Sequence, residues 1–122
     1  ERFAENMHKM RMNGKEIFKV AVRTLSEFAN RALESNGFTI DDLDWFVPHQ
    51  ANYRIIEAVV RRIGCPREKV IVNVDRYGNT SAATIPTALD EAVRDGRIQA
   101  GQLILLDCFG AGLTYGAILM RW

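Results

Sequence analysis

The stretch WFVPHQANYRIIEAVVRRI, residues 45–63, determines the fold class of this chain. It opens with Trp45-Phe46-Val47, a short apolar run that predicts a buried strand. A helix is predicted after Pro48-His49-Gln50, because apolar residues recur at helical spacing through Ile56, Val59, Val60 and Ile63, and Gly64-Cys65-Pro66 ends it. A buried strand that leads directly into a helix is a building unit of layered α/β folds.

A longer helix is predicted upstream, from about Gly14 to Ser35. Asn13 and Glu16 have the spacing of a capping box, and apolar residues recur at helical spacing from Ile17 to Leu33. Asn36-Gly37 then supplies the left-handed stop that helix ends favour.

Downstream, the chain predicts a second strand and a third helix. The run Val70 to Val74 is short and β-branched, which favours a strand. A helix is predicted from about Asn79 to Arg94. Its first half, Thr80 to Ile85, is small and uncharged, which suits a helix buried on all sides, and Pro86 is expected to kink it.

The chain closes with a predicted hairpin. Leu103 to Leu106 is a continuous apolar run of the kind covered on both faces. The turn Gly110-Ala111-Gly112 then reverses the chain into Leu113 to Trp122. Alternating helices and strands closed by a hairpin predict an α/β layered fold with a mixed sheet and a buried helix.

The composition is that of one globular domain. The 122 residues suit a single hydrophobic core, and 48% hydrophobic with 25% charged residues excludes a disordered segment. A formal net charge of +1 gives no global field for nucleic acid. The apolar runs are far shorter than the roughly 20 residues of a membrane helix. We therefore expect neither nucleic-acid binding nor membrane insertion.

Cys65 and Cys108 match neither a metal spacing nor a disulfide framework, so we predict no metal site and expect a reducing cytoplasm. The chain opens on Glu1-Arg2-Phe3 without an initiator methionine, which is typical of a cut through a longer protein. We therefore expect residues 1–122 to be one part of a larger enzyme. His8 suggests only a surface or interface residue.

His49 and Asn79 are the first candidates for chemistry. His49 lies between a predicted strand and a predicted helix, where α/β folds tend to place ligand sites, but a structural histidine is equally compatible with that position. Asn79, in Gly78-Asn79-Thr80-Ser81, also fits an N-cap or turn residue.

The glycine turn after the last buried strand is the third candidate. Gly110-Ala111-Gly112 can aim backbone N–H groups at an anion, although an ordinary glycine hairpin has the same pattern. All three signals follow predicted strands and could converge at one mouth of the sheet. Two donors and a small turn are what a developing oxyanion requires.

Three ordered motifs resemble the β-ketoacyl-acyl carrier protein synthase III family, which has the thiolase fold. Val47-Pro48-His49-Gln50-Ala51-Asn52 resembles its catalytic histidine motif, and Gly78-Asn79-Thr80-Ser81-Ala82-Ala83 its catalytic asparagine motif. Phe109-Gly110-Ala111-Gly112-Leu113-Thr114 resembles its C-terminal glycine loop. The resemblance implies that this chain is the C-terminal domain, about two-fifths of the family's length.

The resemblance implies a condensing acyltransferase that starts fatty acid biosynthesis from acyl-CoA and malonyl-acyl carrier protein. The acyl-carrying cysteine belongs to the missing N-terminal half, and neither Cys65 nor Cys108 has the helix N-terminus that would activate a thiol. His49 and Asn79 would stabilise the malonyl enolate, and the backbone N–H of Ala111 would serve an oxyanion hole. The chain alone is expected to be inactive in condensation.

The resemblance also implies the binding residues and partners. Gly14, Ala51 and Asn52 match positions along the pantetheine arm of coenzyme A. Arg54 would dock the acidic acyl carrier protein, unless it is simply part of a solvated helix face. No cofactor is implied, because acyl-CoA is a substrate. A homodimer is expected, and the isolated chain should associate or behave poorly.

Two other functions are set against this one. The chain could be a carrier-binding or structural fragment without turnover, which a decarboxylation assay would distinguish. A papain-like protease using histidine and asparagine lacks a suitably placed cysteine. Plant-type polyketide synthases share the Cys-His-Asn logic, but we expect a proline in their glycine loop, and this turn has none.

Overall fold

The structure, a computed structural model, describes residues 12–122. Helix α1, Gly14–Glu34, begins where predicted, because the side chain of Asn13 accepts a hydrogen bond from Glu16 N at 3.4 Å. It ends at the predicted stop, where Gly37 has a φ of +74° and Phe38 N donates to Leu33 O at 3.0 Å. His8 lies outside the described residues.

Strand β1, Trp45–Pro48, leads through His49 to Asn52 into helix α2, Tyr53–Ile63. The side chain of Asn52 caps α2 by accepting from Ile55 N at 2.9 Å. Gly64 ends the helix in the left-handed region with a φ of +71°. Both the strand and the helix predicted from residues 45–63 are confirmed.

The sheet has three strands in the order β1-β2-β3 and is mixed, as predicted. Strand β2, Leu103–Gly110, pairs with β1 in parallel, and strand β3, Thr114–Arg121, pairs with β2 antiparallel. Strand β2 continues beyond the predicted Leu103 to Leu106 because its second half pairs with the start of β3.

Side chains of β1 and β2 alternate between the two faces of the sheet, as the period of a strand requires. Phe46 and Leu105 belong to a core cluster formed with α1 and α2, whereas Val47 and Ile104 belong to a second cluster. The second cluster is formed with helix α4, Thr84–Arg94. Helices therefore cover both faces, and the layered α/β fold is confirmed.

Residues 70–74 do not form the predicted strand. Val70 makes only an isolated parallel bridge to Phe46. The N–H groups of Asn73 and Val74 donate to the buried side chain of Gln50 at 2.9 and 3.1 Å, so the chain leaves the sheet edge there. It enters the one-turn helix α3, Val74–Tyr77. The β-branched run is buried or half-buried but pairs with β1 at one point only, a difference from a full strand that its local sequence pattern does not reveal.

Helix α4 begins at Thr84 rather than at Asn79, and Pro86 explains the late start. The ring of Pro86 excludes the carbonyl of Ala82, four residues earlier, from a regular helix. Residues Ser81–Ala83 form a short 3-10 turn instead. Pro86 itself lies in the first turn, where its missing N–H is tolerated, so the expected kink is absent and α4 continues to Arg94.

The expected burial of the small residues ahead of Pro86 is also wrong for the described chain. Residues 79–83 are exposed, and α4 buries one face through Thr84, Ala88 and Ala92. Across residues 12–122, no helix combines the length and apolar character needed to cross a bilayer. Nor do three His, Cys, Asp or Glu side chains within that range gather as a metal ion would require.

Candidate active site

His49 lies where β1 ends, and three elements hold it. Its backbone N–H donates to Asp107 O of β2 at 2.7 Å, which extends the parallel pairing by one residue. Its Nδ1 lies 2.5 Å from the hydroxyl of Thr84, the first residue of α4. The ring meets Phe109 edge-on, with centroids 5.7 Å apart. The imidazole is thereby fixed in both position and orientation.

Partial burial lowers the pKa of the His49 imidazole below its ordinary value. The uncharged form predicted for this residue is therefore favoured, although the cause is burial rather than the helix N-terminus. A neutral imidazole carries one N–H. When the Thr84 hydroxyl donates to Nδ1, that proton resides on Nε2, which is then the hydrogen-bond donor of the ring.

Asn79 is exposed on the segment between α3 and α4. Its Oδ1 accepts from Ser81 N at 2.9 Å, an Asx turn that fixes the carboxamide. The turn interpretation is thus correct in geometry. Because Oδ1 already accepts this hydrogen bond, the two hydrogens on Nδ2 are the part of the amide that is available to a ligand. An amide of this kind is a donor at every physiological pH.

The glycine turn links β2 to β3. Ala111 is exposed, and its carbonyl accepts from the hydroxyl of Thr114 at 3.2 Å across the turn. Phe109, two residues ahead of Ala111, is the aromatic side chain that contacts His49. The turn is therefore anchored beside the histidine by its own strand.

His49 contacts the glycine-loop motif and the residue that follows the asparagine motif. Its contacts join it to Thr84, five residues after Asn79, and to Phe109, at the start of the glycine loop. Within residues 12–122, no hydrogen bond joins Asn79 directly to His49. Two open depressions elsewhere on the described surface contain neither residue. A cavity shared by His49 and Asn79 remains a prediction.

Thr84, Phe109 and Asp107 were not identified as site residues from the sequence. Asp107 is buried beside the backbone of His49, and neither carboxylate oxygen has a hydrogen-bond partner among the described residues. Burial raises the pKa of this carboxyl to about 8. The available signal was its position, because Asp107 is the one acidic residue within the apolar run from Leu103 to Phe109.

The predicted pantetheine residues occupy different settings. Asn52 is committed to the cap of α2 through its side-chain oxygen, and Ala51 N donates to His49 O at 2.9 Å. Gly14 is the exposed first residue of α1, on a separate element. Ala51 and Asn52 are thus adjacent to the histidine, whereas the contacts described here do not join Gly14 to them.

Arg54 is exposed on the first turn of α2, where its side chain is available to a partner. It lines an open depression together with Phe18, Tyr53 and Arg61. Arg61 lies on the same face, two turns further along the helix. Two arginines, two aromatic residues and the acidic Glu57 thus line one depression.

Neither cysteine has the character of an activated thiol. Cys65 is buried, and burial raises its pKa to about 11. Cys108 is exposed on β2, and partial desolvation together with the neighbouring Asp107 raises the pKa of its thiol. Thiolate formation is disfavoured at both positions, which supports structural roles for them.

A sequence model of the family described as 3-oxoacyl-[acyl-carrier-protein (ACP)] synthase III C terminal matches residues 33–122. The beta-ketoacyl-[acyl-carrier-protein] synthase III 1 of Deinococcus radiodurans is 56% identical over 111 residues, covering 91% of this chain and 33% of the relative. The beta-ketoacyl-[acyl-carrier-protein] synthase III of Symbiobacterium thermophilum is 51% identical over 122 residues, covering 100% of this chain and 37% of the relative. The chain spans about a third of the length of these curated relatives.

Solved structures carry the same fold. The 3-oxoacyl-[acyl-carrier-protein] synthase III of Aquifex aeolicus matches with a TM-score of 0.90 and 49% identity, over 92% of this chain and 36% of that chain. The beta-ketoacyl-[acyl carrier protein] synthase III of Thermus thermophilus matches with a TM-score of 0.89 and 55% identity, over 92% and 35% of the two chains. Both crystal structures extend well beyond the part that is similar here.

Proposed function

Because this chain belongs to the family of 3-oxoacyl-[acyl-carrier-protein] synthase III C-terminal domains, we propose that it supplies the enolate-stabilising half of that enzyme's active site. The reaction is a decarboxylative Claisen condensation of acyl-CoA with malonyl-acyl carrier protein, at the start of fatty acid biosynthesis. The contact between His49 Nδ1 and Thr84 carries the proposal: with the hydroxyl as donor to Nδ1, the uncharged ring that burial favours has Nε2–H as its donor.

In the condensing step, the bond between the malonyl methylene carbon and its carboxylate breaks, and carbon dioxide leaves. The electron pair moves into the enolate, and negative charge collects on the thioester oxygen. His49 Nε2–H and Asn79 Nδ2–H donate to that oxygen. The enolate carbon then attacks the acyl thioester, and the cysteine leaves as a thiolate. Neutral, preorganised donors stabilise charge at the moment it forms.

The remaining site assignments follow the resemblance to the synthase III family. The N–H of Ala111 contributes to an oxyanion hole for the tetrahedral intermediates, beside the cysteine of the N-terminal half. Gly14, Ala51 and Asn52 line the pantetheine arm, and Arg54 docks the acyl carrier protein. The enzyme acts as a cytoplasmic homodimer without a metal or resident cofactor, and acyl-CoA is its substrate.

A second function is a carrier-binding fragment without turnover of its own. The raised pKa values of both thiols support it, because the thiolate that an acylated nucleophile requires is disfavoured at both positions. Mixing the isolated chain with malonyl-acyl carrier protein and measuring carbon dioxide distinguishes the two. Sustained release by the isolated chain would contradict the fragment without turnover and favour the enolate-stabilising role.

The direct test uses the enzyme in which this chain is joined to its cysteine-bearing half. His49→Ala or Asn79→Ala should lower condensation by about 100-fold or more, the usual effect of losing one oxyanion donor. Acyl transfer from coenzyme A to the cysteine should change much less. Asn36→Ala is the control for Asn79, since Asn36 is an exposed asparagine whose side chain bonds only to Ala32 O of α1. Equal losses in both half-reactions would contradict the proposal.

A further inference from the structure

Gln50 is completely buried, and its carboxamide makes four hydrogen bonds to the backbone. Its Nε2 donates to Pro48 O at 2.9 Å and to Ile71 O at 3.2 Å. Its Oε1 accepts from Asn73 N at 2.9 Å and from Val74 N at 3.1 Å. Two donors and two acceptor sites are the full capacity of a glutamine amide, so this side chain is saturated.

These four bonds join the two segments that carry the candidate donors. On one side, Pro48 and Gln50 flank His49 directly. On the other side, residues 71–74 lead through α3 to Gly78 and Asn79. Gln50 is therefore a single-residue bridge between the histidine loop and the chain that presents the asparagine.

The bridge takes the place of sheet pairing. Residues 71–74 leave the edge of β1 after the isolated bridge at Val70, and a buried backbone N–H without an acceptor is costly. The neutral carboxamide satisfies groups of both polarities without burying a charge. A side chain with only acceptors or only donors would leave two backbone groups unpaired.

Ion pairs also hold segment 71–77, which Gln50 bonds at its start. Arg76 of α3 forms a short ion pair with Glu91 of α4, and Arg97 lies 3.6 Å from the same carboxylate. Segment 71–77 is thus held between Gln50 and α4, the helix whose Thr84 contacts His49. The spacing of the two candidate donors then depends on Gln50 and not on α4 alone.

We propose that Gln50 is a positioning residue that sets the relative placement of His49 and Asn79 for enolate stabilisation. The inference rests on the proposed function, because it matters to the reaction only if these two side chains act on one oxygen. Gln50 contacts no reacting atom and acts through the backbone of both loops. Its loss should lower the rate of condensation while leaving acyl transfer to the cysteine largely intact.

The test is a double-mutant cycle in the enzyme that joins this chain to its cysteine-bearing half. Gln50→Met keeps the approximate volume and removes all four hydrogen bonds. We expect it to lower kcat for condensation by at least about 10-fold, since small misplacements of donors have large effects on rate. In an Asn79→Ala background, the same substitution should have little further effect, because the donor it places is already gone.

Gln102→Met is the matched control. Gln102 is a half-buried glutamine whose Oε1 accepts from Gln99 N at 2.7 Å and from Trp45 Nε1 at 3.1 Å, beyond the opposite end of β1. It should lower thermal stability without lowering kcat below the melting temperature. If Gln50→Met does not fold, Gln50→Glu enters the same cycle at acidic pH, where a protonated glutamic acid retains a donor and an acceptor.

The outcomes separate the two proposals. If Asn79→Ala leaves condensation unchanged, the proposed function itself is wrong. If Asn79→Ala impairs condensation but the Gln50 substitution is harmless, or multiplies the Asn79 defect in full, then Gln50 is merely structural and the inference is overturned. Failure of both Gln50 variants to fold in the presence of a folded Gln102→Met enzyme overturns it as well.

Discussion

His49 shows how one residue acquires its chemistry from the contacts around it. The Thr84 hydroxyl and the Phe109 ring contact the imidazole, the carbonyl of Asp107 holds the His49 backbone, and burial favours the uncharged ring. A neutral, oriented ring is a suitable donor to an enolate oxygen. The sequence identified His49 through its motif, but not Thr84 or Asp107, because both contacts depend on long-range packing.

Thr84→Val tests the orientation of the ring. Valine has nearly the same shape but cannot bond to Nδ1, so the preference for a proton on Nε2 should be lost. We expect condensation to fall by about 10-fold, less than the roughly 100-fold or more of a lost proton donor, because the ring remains and only its tautomer and orientation change. Ring nitrogen shifts in 15N NMR should change from a single Nε2–H form to a mixture. Thr87→Val, on the same helix, is the control, and an unchanged tautomer in Thr84→Val would contradict this account of the ring.

Asp107 gives a prediction for stability against pH. Burial raises its folded-state pKa to about 8, whereas an unfolded carboxyl titrates near about 4. Between these values the folded chain retains a proton that the unfolded chain releases. The free energy of unfolding should therefore fall as pH rises, by up to about 1.4 kcal/mol per pH unit. His49, with a lowered pKa, acts in the opposite sense at acidic pH.

Asp107→Asn should remove this part of the slope and should stabilise the chain most at pH 8. Urea unfolding of both proteins from pH 5 to pH 8 measures the difference, in which the contribution of His49 cancels. Asp75→Asn, at an exposed position on α3, is the control. A slope that is the same in the Asp107 variant and the wild type would mean that other groups produce it.

At the scale of elements, the predictable parts were those with local signals. Helices α1 and α2 carry their caps and glycine stops within a few residues of each end, so their bounds agree with the sequence. Residues 70–74 do not, because Gln50, more than twenty residues away, takes the N–H groups that a strand would use. The predicted start of α4 at Asn79 is wrong because the ring of Pro86 excludes the residue four positions earlier from the helix, instead of kinking a longer helix.

Asn52 caps helix α2 and is also proposed to contact the substrate, and two substitutions separate these roles. Asn52→Ala removes the cap of α2 and should lower the free energy of unfolding by about 1 kcal/mol. Asn52→Asp retains the capping oxygen but loses the amide donor, so stability should stay within about 0.5 kcal/mol of wild type. If the amide contacts the pantetheine arm, Asn52→Asp should still raise KM for acyl-CoA. An unchanged KM would remove Asn52 from the binding site.

At the scale of the whole molecule, the chain belongs to the family of 3-oxoacyl-[acyl-carrier-protein] synthase III C-terminal domains, with a mixed sheet covered by helices on both faces. Its hairpin leaves large apolar side chains exposed, namely Leu113, Tyr115, Ile118 and Trp122. Strand β3 is also an edge of the described sheet. Exposed apolar side chains on an unpaired edge favour association.

Ile118→Lys tests this expectation. Ile118 is the most exposed of the four, with 59% of its surface accessible, and lysine on an edge strand opposes pairing. Light scattering should show dimers or larger species for the isolated chain and a larger monomer fraction for the variant. Tyr77→Lys, at an exposed aromatic position on α3, should have little effect. A monodisperse wild-type monomer would count against association through this surface.

The overall site was predictable to the extent that its motifs are local. Sequence spacing placed His49, Asn79 and the 110–112 turn after successive predicted strands. His49 contacts Phe109 of the strand that leads into the turn and Thr84 of the helix that follows Asn79. What spacing could not provide was the distance between the two donors, which depends on Gln50, Thr84 and the segment from Ser81 to Ala83.

One measurement tests the central claim most directly: a crystal structure of the enzyme containing this chain, bound to a malonyl thioester analogue that cannot decarboxylate. We predict that His49 Nε2 and Asn79 Nδ2 both lie within about 2.7 to 3.2 Å of the thioester oxygen, the range of a hydrogen bond. An oxygen bonded to neither group, or the two side chains directed into separate spaces, would contradict the account.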